Sequence, residues 1–252
     1  MTFRNSLCQA YWRLEKVIDP GVVNSQQNYA DLVRSWIDSD SEWLDMGCGH
    51  DVFAPWLPSA ANVVAKSKLV VGLDYDLESL KKHNLIRNRV RGDVMNPPCR
   101  DGAFNRITAN MVMEHVADPI LALTQVRRLL KPSGVFIFHT PNYWHYAAFF
   151  ASLIPQRLKN KIIQFTEGRR EDDVFPTFYR LNTVKDITEA ARKAGFKILE
   201  FHKLSCSSSS TIFVLGPLVV VDLMLRRLTR WKPLESFRAN FIVVLQKPED
   251  VV

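Results

Sequence analysis

The chain has 252 residues, 47% hydrophobic and 23% charged, which is enough apolar content for a buried core and excludes wholesale disorder. That length suits one large domain, or one domain with additions. A net charge of +7 admits anionic partners, and four cysteines without a CxxC pair or a His–Cys cluster at zinc spacing exclude a disulfide scaffold and predict no metal site.

Free thiols point to a reducing compartment, and the N-terminus has no basic-then-apolar leader pattern. The longest apolar run, Ile212 to Val221, is shorter than the roughly 20 residues that cross a bilayer. A cytoplasmic chain is expected, with peripheral membrane contact as an open alternative. The basic excess is clustered at Arg157, Lys159 and Lys161, at Arg169 and Arg170, and at Arg226, Arg227, Arg230 and Lys232. Such clusters are either solvated faces or sites for anionic lipid, phosphate or nucleic acid.

In chain order, Leu7, Tyr11, Leu14, Val17 and Ile18 recur at helical spacing until Asp19-Pro20-Gly21 stops them. Asn28 to Ile37 predicts a second helix, so residues 1–40 read as a helical cap. Glu42–Met46 then predicts a strand, followed by a helix-like stretch to about Val64. Lys68–Leu73 predicts a strand and Leu77–Asn84 a helix that Asp76 can cap. Short strands are expected at Asn88–Arg91 and Phe104–Ala109, and a helix at Pro119–Leu130. Lys131-Pro132-Ser133-Gly134 reads as a turn before a strong strand at Val135–His139. Val184–Ala194 predicts a helix ended by Gly195, Lys197–Phe201 a strand, and Phe241–Gln246 a last strand with no helix after it. The alternation implies an α/β fold with a parallel sheet covered on both faces and a late antiparallel edge.

Trp43 to Asp51 reads WLDMGCGHD, a strand running into a glycine-rich turn. Glycine there takes positive φ cheaply and lets a ligand approach the backbone. The third glycine of a dinucleotide GxGxxG would fall on Val52, and an acid stands at Asp45 where such strands are apolar. Both features argue against NAD. Three acids instead sit at strand ends: Asp45, Asp74 in VVGLD and Asp93 in VRGDV. Such carboxylates suit a ligand with a ribose diol, an adenine amine and an ammonium, the three groups of S-adenosylmethionine (SAM).

The ordered set DMGCG, GLDYD, RGDV, FNRITANMVMEHVADP and LLKPSGVFIFHTPN resembles the class I SAM-dependent methyltransferases, nearest the ubiquinone/menaquinone-methyltransferase-like small-molecule branch, over about residues 42–202. The resemblance implies a Rossmann-like seven-stranded sheet, six strands parallel and one antiparallel. The chain is then a single methyltransferase domain, 1–252, with insertions at 140–183 and 207–236 covering the acceptor. It also implies that Gly47, Cys48 and Gly49 pack against the methionine part and ribose, with Asp45 near the ammonium. Asp74 would hold the ribose hydroxyls, Tyr75 one adenine face, Asp93 the adenine amine with Val94 beside the ring, and Asn110 and Met111 the methyl-donor site. Glu114-His115 matches a Glu-His pair that often follows. Where the family usually has glycine this chain has Asp51, which either meets the SAM carboxylate or, as favoured, caps the following helix.

His115 suits a general base near neutral pH. His139, Asn142, Tyr143 and His145 cluster after the fifth strand, where ligands sit in such sheets. His115, His139, Tyr143 and His145 are therefore the candidate catalytic groups, with Asn142, Tyr179 and Arg180 as acceptor-binding candidates; the last two come from an aromatic-rich segment, 175–183. Residues 211–232 are apolar first and basic last, reading as a buried helix or as an interfacial one. The expected reaction is methyl transfer from SAM to an oxygen, nitrogen or carbon atom of a small, hydrophobic or lipid-linked acceptor. RNA or protein methylation and a non-catalytic SAM-binding scaffold are the competing readings. Nucleic acid is disfavoured because no RNA-binding module or Asn-Pro-Pro-Tyr motif follows the fourth strand.

Overall fold

A computed structural model describes residues 3–22, 24–57, 60–146, 176–205, 216 and 219–249. Seven strands form one sheet: β1 Glu42–Met46, β2 Leu69–Asp74, β3 Asn88–Arg91, β4 Phe104–Asn110, β5 Leu130–Pro141, β6 Lys197–Leu204 and β7 Asn240–Gln246. Their spatial order is β3-β2-β1-β4-β5-β7-β6. The β1–β2, β2–β3, β1–β4 and β4–β5 pairs are parallel. β7 runs the other way. The amide of Lys247, past its end, donates to Gly134 near the start of β5, and the amide of Asn142, past the end of β5, donates to Ala239 just before β7. Six parallel strands and one antiparallel strand agree with the expected fold class.

The central strands are buried on both faces: Trp43, Leu44, Asp45 and Met46 of β1 are all covered, as are the residues from Val135 to Thr140 of β5. This is why they read as continuous apolar runs rather than alternating ones. Helices α3 Ala60–Lys66, α4 Leu77–Lys82, α5 Pro119–Leu129 and α6 Val184–Lys193 connect the strands, preceded by α1 Phe3–Ile18 and α2 Ser25–Trp36; α7 Val219–Leu228 comes late. Three caps foreseeable from sequence chemistry form. Asp76 accepts from the amides of Glu78 and Ser79, Asp118 from Ile120 and Leu121 with Pro119 opening α5, and Thr183 from Asp186.

Three local expectations need correcting. The stretch after the glycine turn is not helical through Leu57, because Pro55 and Pro58 disfavour helical backbone at the residues before them; the next helix is Ala60–Lys66. Helix α4 stops at Lys82, one residue before His83, whose Nδ1 accepts from the amides of Leu85 and Ile86 and holds an extended exit. Lys131-Pro132-Ser133-Gly134 is an excursion within β5 rather than a turn before it. Pairing steps from Phe104↔Leu130 to Arg106↔Val135, and Ser133 takes φ +59°.

The chain divides into two compact units. The larger comprises Gln26–Pro141, Thr177–His202 and Phe241–Val252; the smaller comprises Met1–Ser25, Asn142–Pro176 and Lys203–Asn240. Residues 1–40 are thus shared out, with α1 in the smaller unit and nearly all of α2 in the sheet unit. In the smaller unit Tyr11 packs with Val219 and Leu223, backed by Leu14, Ile18 and Val220. The basic clusters at 157–161 and 169–170 and residues 207–215 lie outside the described residues, as does most of the insertion expected at 140–183.

In the larger unit Phe136 stacks on Phe138 at 5.2 Å, and both are fully buried. Phe136→Ala is expected to cost about 3–5 kcal/mol, and Asp118→Ala about 1 kcal/mol through loss of the α5 cap. Urea unfolding monitored by circular dichroism checks both, and their order.

Candidate functional site

The sheet order reverses between β1 and β4, and parallel sheets bind ligands outside the carboxyl ends of their strands at such a reversal. The register brings four of those ends together. Met46 pairs with Leu73 on one side and Ala109 on the other, and Asn110 pairs with His139. Gly47–Gly49, Asp74, Asn110 and His139 therefore share one edge of the larger unit.

The turn after β1 is tied to the end of β2. The amides of Gly47 and Cys48 both donate to the Leu73 carbonyl, at 2.7 and 3.1 Å. The Gly49 amide donates to Asp74 Oδ2 at 2.8 Å, and the Asp76 amide to Asp74 Oδ1 at 2.8 Å. Gly47 has φ +68°, and a Cβ there would lie 2.3 Å from Val112 Cγ2, so this position requires glycine twice over. Gly49 has φ +54°, with nothing within 4 Å of where a Cβ would stand. Open space beside the Gly49 backbone, next to a carboxylate already aimed by two amides, fits a ribose-bearing ligand. Each Asp74 oxygen keeps a lone pair for a ligand hydroxyl.

Asp45 lies deeper. It is buried, and its Oδ1 accepts from Thr108 Oγ1 at 2.7 Å, while that hydroxyl accepts from Trp43 Nε1 at 2.7 Å. Burial, reinforced by the Asp74 charge, raises the Asp45 carboxyl to about 7, against the Thr108 hydrogen bond. Tyr29 is buried beside this chain, and burial with the Asp45 charge holds its phenol well above its usual range. The Cys48 side chain turns toward the sheet. Its Sγ would be 2.7 Å from a Cβ at Gly72, and burial pushes the thiol up.

The adenine-side candidates are more open. Tyr75 is exposed under the Arg91 guanidinium, 5.7 Å from its ring. Asp93 is exposed and accepts from the Met95 amide, and Val94 packs against the core. Asp51 caps no helix; its carboxylate sits 3.5 Å from His50 Nε2, because the chain beyond it turns instead of coiling.

At the ends of β4 and β5 a polar network forms. Asn110 Nδ2 donates to Gln26 at 2.8 Å, which leaves its Oδ1 as the acceptor 2.9 Å from His139 Nδ1. His139 therefore carries its proton on Nδ1. Its ring stacks on Tyr29 at 5.7 Å, its Nε2 has no partner among the described residues, and burial lowers it to about 4. Met111 has φ +57° and donates its amide to the His139 carbonyl. Behind lies Glu114, whose Oε2 meets Thr140 Oγ1 at 3.4 Å, while Asn182 donates to that same Thr140 oxygen. Burial raises Glu114 to about 7. Its carbonyl accepts the amides of Phe178 and Tyr179, and Tyr179 has φ +52°. His115 is half-buried, its Nε2 4.0 Å from Glu114 Oε1.

Other predicted residues are placed elsewhere. Arg180 donates to the Ala117 carbonyl at 2.7 Å and lies over Phe178. Asn142, Tyr143 and His145 belong to the smaller unit. The Asn142 amide is spent on the Ser236 and Arg238 carbonyls and on the Trp144 amide, which makes it a structural clamp. Tyr143 meets Trp144 edge-on at 5.4 Å. His145 is buried and lowered to about 4, first by burial and then by the Arg226 charge. Sequence reasoning passed over Gln26, Tyr29, Thr108, Thr140 and Asn182 as site components. Thr108 had a signal, being polar within an apolar strand; Gln26 and Tyr29 had none, since they read as helix and core. Among the described residues no group of His, Cys, Asp and Glu is placed to hold a metal.

Residues 24–200 match the methyltransferase domain family. The chain belongs to that family. Its fold is that of the class I SAM-dependent methyltransferases. It is 32% identical over 103 residues to a demethylmenaquinone methyltransferase of Staphylococcus haemolyticus, covering 38% of this chain and 42% of that protein. A probable S-adenosylmethionine-dependent methyltransferase of Mycolicibacterium smegmatis is 26% identical over 158 residues, covering 62% and 51%. The crystal structure of a putative methyltransferase from Bacillus halodurans superposes with a TM-score of 0.56 at 18% identity, covering 88% of this chain and 99% of that one. The chain spans less than half the length of the demethylmenaquinone methyltransferases it matches. SAM is the expected cofactor of the family, and the open glycine turn with its aimed Asp74 fits it.

Glu114 gives a pH signature. Its folded value of about 7 lies above the ordinary 4.5, so the folded state holds the proton more tightly. Stability then falls as pH rises from about 4.5 to about 7 and is level in this contribution above that. In the Glu114→Gln protein, denaturant titrations from pH 5 to 8 are expected to lose that part of the slope, worth a few kcal/mol to order of magnitude. Gly47→Ala is expected to unfold at markedly lower denaturant than Gly49→Ala, where backbone strain alone, about 1 kcal/mol, is at stake.

Proposed function

We propose that this protein transfers a methyl group from SAM to a small hydrophobic acceptor. The observation that carries the reading is the Asp74 carboxylate, held by the Gly49 and Asp76 amides beside an open glycine turn. Bound SAM supplies a methyl carbon on a cationic sulfur, already activated for displacement. The chain's own part is to position that carbon and the acceptor and to keep water out, and positioning of this kind supplies roughly 7–11 kcal/mol.

Each residue has a role in that positioning. Asp74 accepts the ribose hydroxyls, and Gly47 and Gly49 let the backbone approach. Asp45, buried in its Thr108 chain, sits near the cationic part, and a positive charge there favours its ionised form. Tyr75 and Val94 flank the adenine ring, and Asp93 accepts its amine. Asn110 holds the His139 proton on Nδ1, which leaves Nε2 as an acceptor that stays neutral across physiological pH. That neutrality suits an acceptor that arrives without charge. His115, half-buried beside Glu114, is the alternative proton acceptor. The likeness to demethylmenaquinone methyltransferases supports an apolar, ring-bearing acceptor. Chemistry in the cytoplasm fits the absence of any helix, among the described residues, long and apolar enough to cross a membrane.

Calorimetric titration with SAM and with S-adenosylhomocysteine tests the reading. Wild type is expected to bind both. Asp74→Ala, which removes hydrogen bonds to a charged group worth about 1.5–3 kcal/mol, is expected to bind about 10–100-fold more weakly. Absence of binding by folded wild type overturns the proposal. Transfer of labelled methyl to extractable quinols, against polar acceptors and RNA, then reads the acceptor class.

A further inference from the structure

Helix α7 of the smaller unit buries charged side chains beside its apolar contact with α1. Helix α7 turns Asp222 and Arg226 inward, where they pair at 2.6 Å. Arg226 also donates to Tyr11 at 3.1 Å and lies 3.7 Å from Glu15 on α1, and Tyr146 donates to Asp222. Arg227 donates to the Ile18 carbonyl at 2.6 Å, and Arg230 pairs with Asp19 and donates to the Gly21 carbonyl. The charges that a surface helix normally shows to water thus tie α7 to the end of α1.

Apart from Arg227, what α7 shows outward is apolar. Val221, Met224, Leu225 and Leu228 recur at helical spacing and are 52, 55, 42 and 54% exposed; Trp231, just past the helix end, is 66% exposed. Burying these side chains is favourable, and a helix that leaves such a stripe in water marks an interaction surface. The exposed charges of α7 and of the residues up to Lys232 are basic, and Glu235, the next acid along the chain, is paired with Lys203. Exposed Arg227, Arg230 and Lys232 flank the stripe, and α1 exposes Arg13 and Lys16. The acids of the two helices, Glu15 and Asp222, and Asp19 just beyond α1, are all buried. Among the described residues of α1 and of 219–233 no carboxylate is exposed.

We propose that this face docks on an anionic lipid surface, with the stripe and Trp231 in the headgroup region and the basic residues against lipid phosphates. A second copy of the chain would bring the same positive charge to the contact and repel it; an anionic bilayer supplies both the apolar phase and the opposite charge. The inference stands apart from the cofactor site and holds whatever the acceptor is.

Sedimentation of the full chain with vesicles tests it, using phosphatidylglycerol mixed with phosphatidylcholine, and phosphatidylcholine alone. Wild type is expected to sediment with the anionic vesicles and bind about tenfold less to the neutral ones. Met224→Glu combined with Leu228→Glu, both at exposed positions, is expected to keep the wild-type melting temperature and lose at least about tenfold in vesicle binding. Ile120→Glu, an exposed apolar residue on α5, is expected to bind as wild type. The proposal is overturned by no sedimentation with either vesicle, by equal binding to both, or by undiminished binding of the double variant. Self-association of wild type without vesicle binding also overturns it and assigns the stripe to a second copy.

Discussion

One carbonyl and one carboxylate organise this site. The Leu73 carbonyl takes the amides of Gly47 and Cys48, and the Asp74 carboxylate takes those of Gly49 and Asp76. Every amide of the turn is thereby satisfied from the neighbouring strand rather than from a helix behind it. That matters here because the segment after the turn contains Pro55 and Pro58 and does not coil through Leu57. The turn is held sideways, across the sheet, and the aim of Asp74 and the shape of the turn are one interaction. The rest of the edge depends on it, since the parallel register that places Leu73 beside Met46 also places Ala109 there.

Beneath the turn the polar groups are arranged by burial. Asp45, Tyr29, Thr108 and His139 are all covered, yet linked through hydrogen bonds and a stacked ring pair. Burial disfavours the charged form of the titratable groups among them: the carboxyl rises and the imidazole falls. A carboxyl raised to about 7 responds to a cationic ligand group, because a positive charge beside it favours the ionised form. Glu114 extends the same logic one layer back, where it joins the end of β5 to the segment around Tyr179 through Thr140 and two backbone amides.

The smaller unit solves a different problem with the same chemistry. Arg226 is buried in an ion pair with Asp222 beside Glu15, while Arg227 and Arg230 reach back to the end of α1 and remain exposed. Arg226, Arg227 and Arg230 each reach α1 or the residues just after it. The apolar side chains displaced from the interior are what remains for the outside. Whether a helix is apolar outward or inward cannot be read from its amphipathicity alone, because a buried charge is admissible wherever a partner waits for it.

Much of the fold was legible along the chain. Continuous apolar strands, the caps Asp76 and Thr183, and the ordered acids Asp74 and Asp93 are local signals, and local chemistry decides them. The parallel sheet with a late antiparallel edge followed from the alternation of those elements, and its seven strands from the resemblance to the methyltransferases. Tertiary structure decided what local pattern leaves open. Asn142, read as an acceptor contact, is a clamp on residues nearly a hundred positions later; Arg180 holds a nearby carbonyl; and Gln26, Tyr29 and Thr140 enter the site from stretches that look like ordinary core. A side chain's partners across the fold are set by register and packing, which no window of sequence contains. The sequence by itself determined that a glycine turn follows the first strand and that an acid ends the next, since both are matters of local pattern and residue type; the strand register brought them together. Only the folded chain decided which buried groups lost their charge, because that depends on how much water the surrounding structure removes.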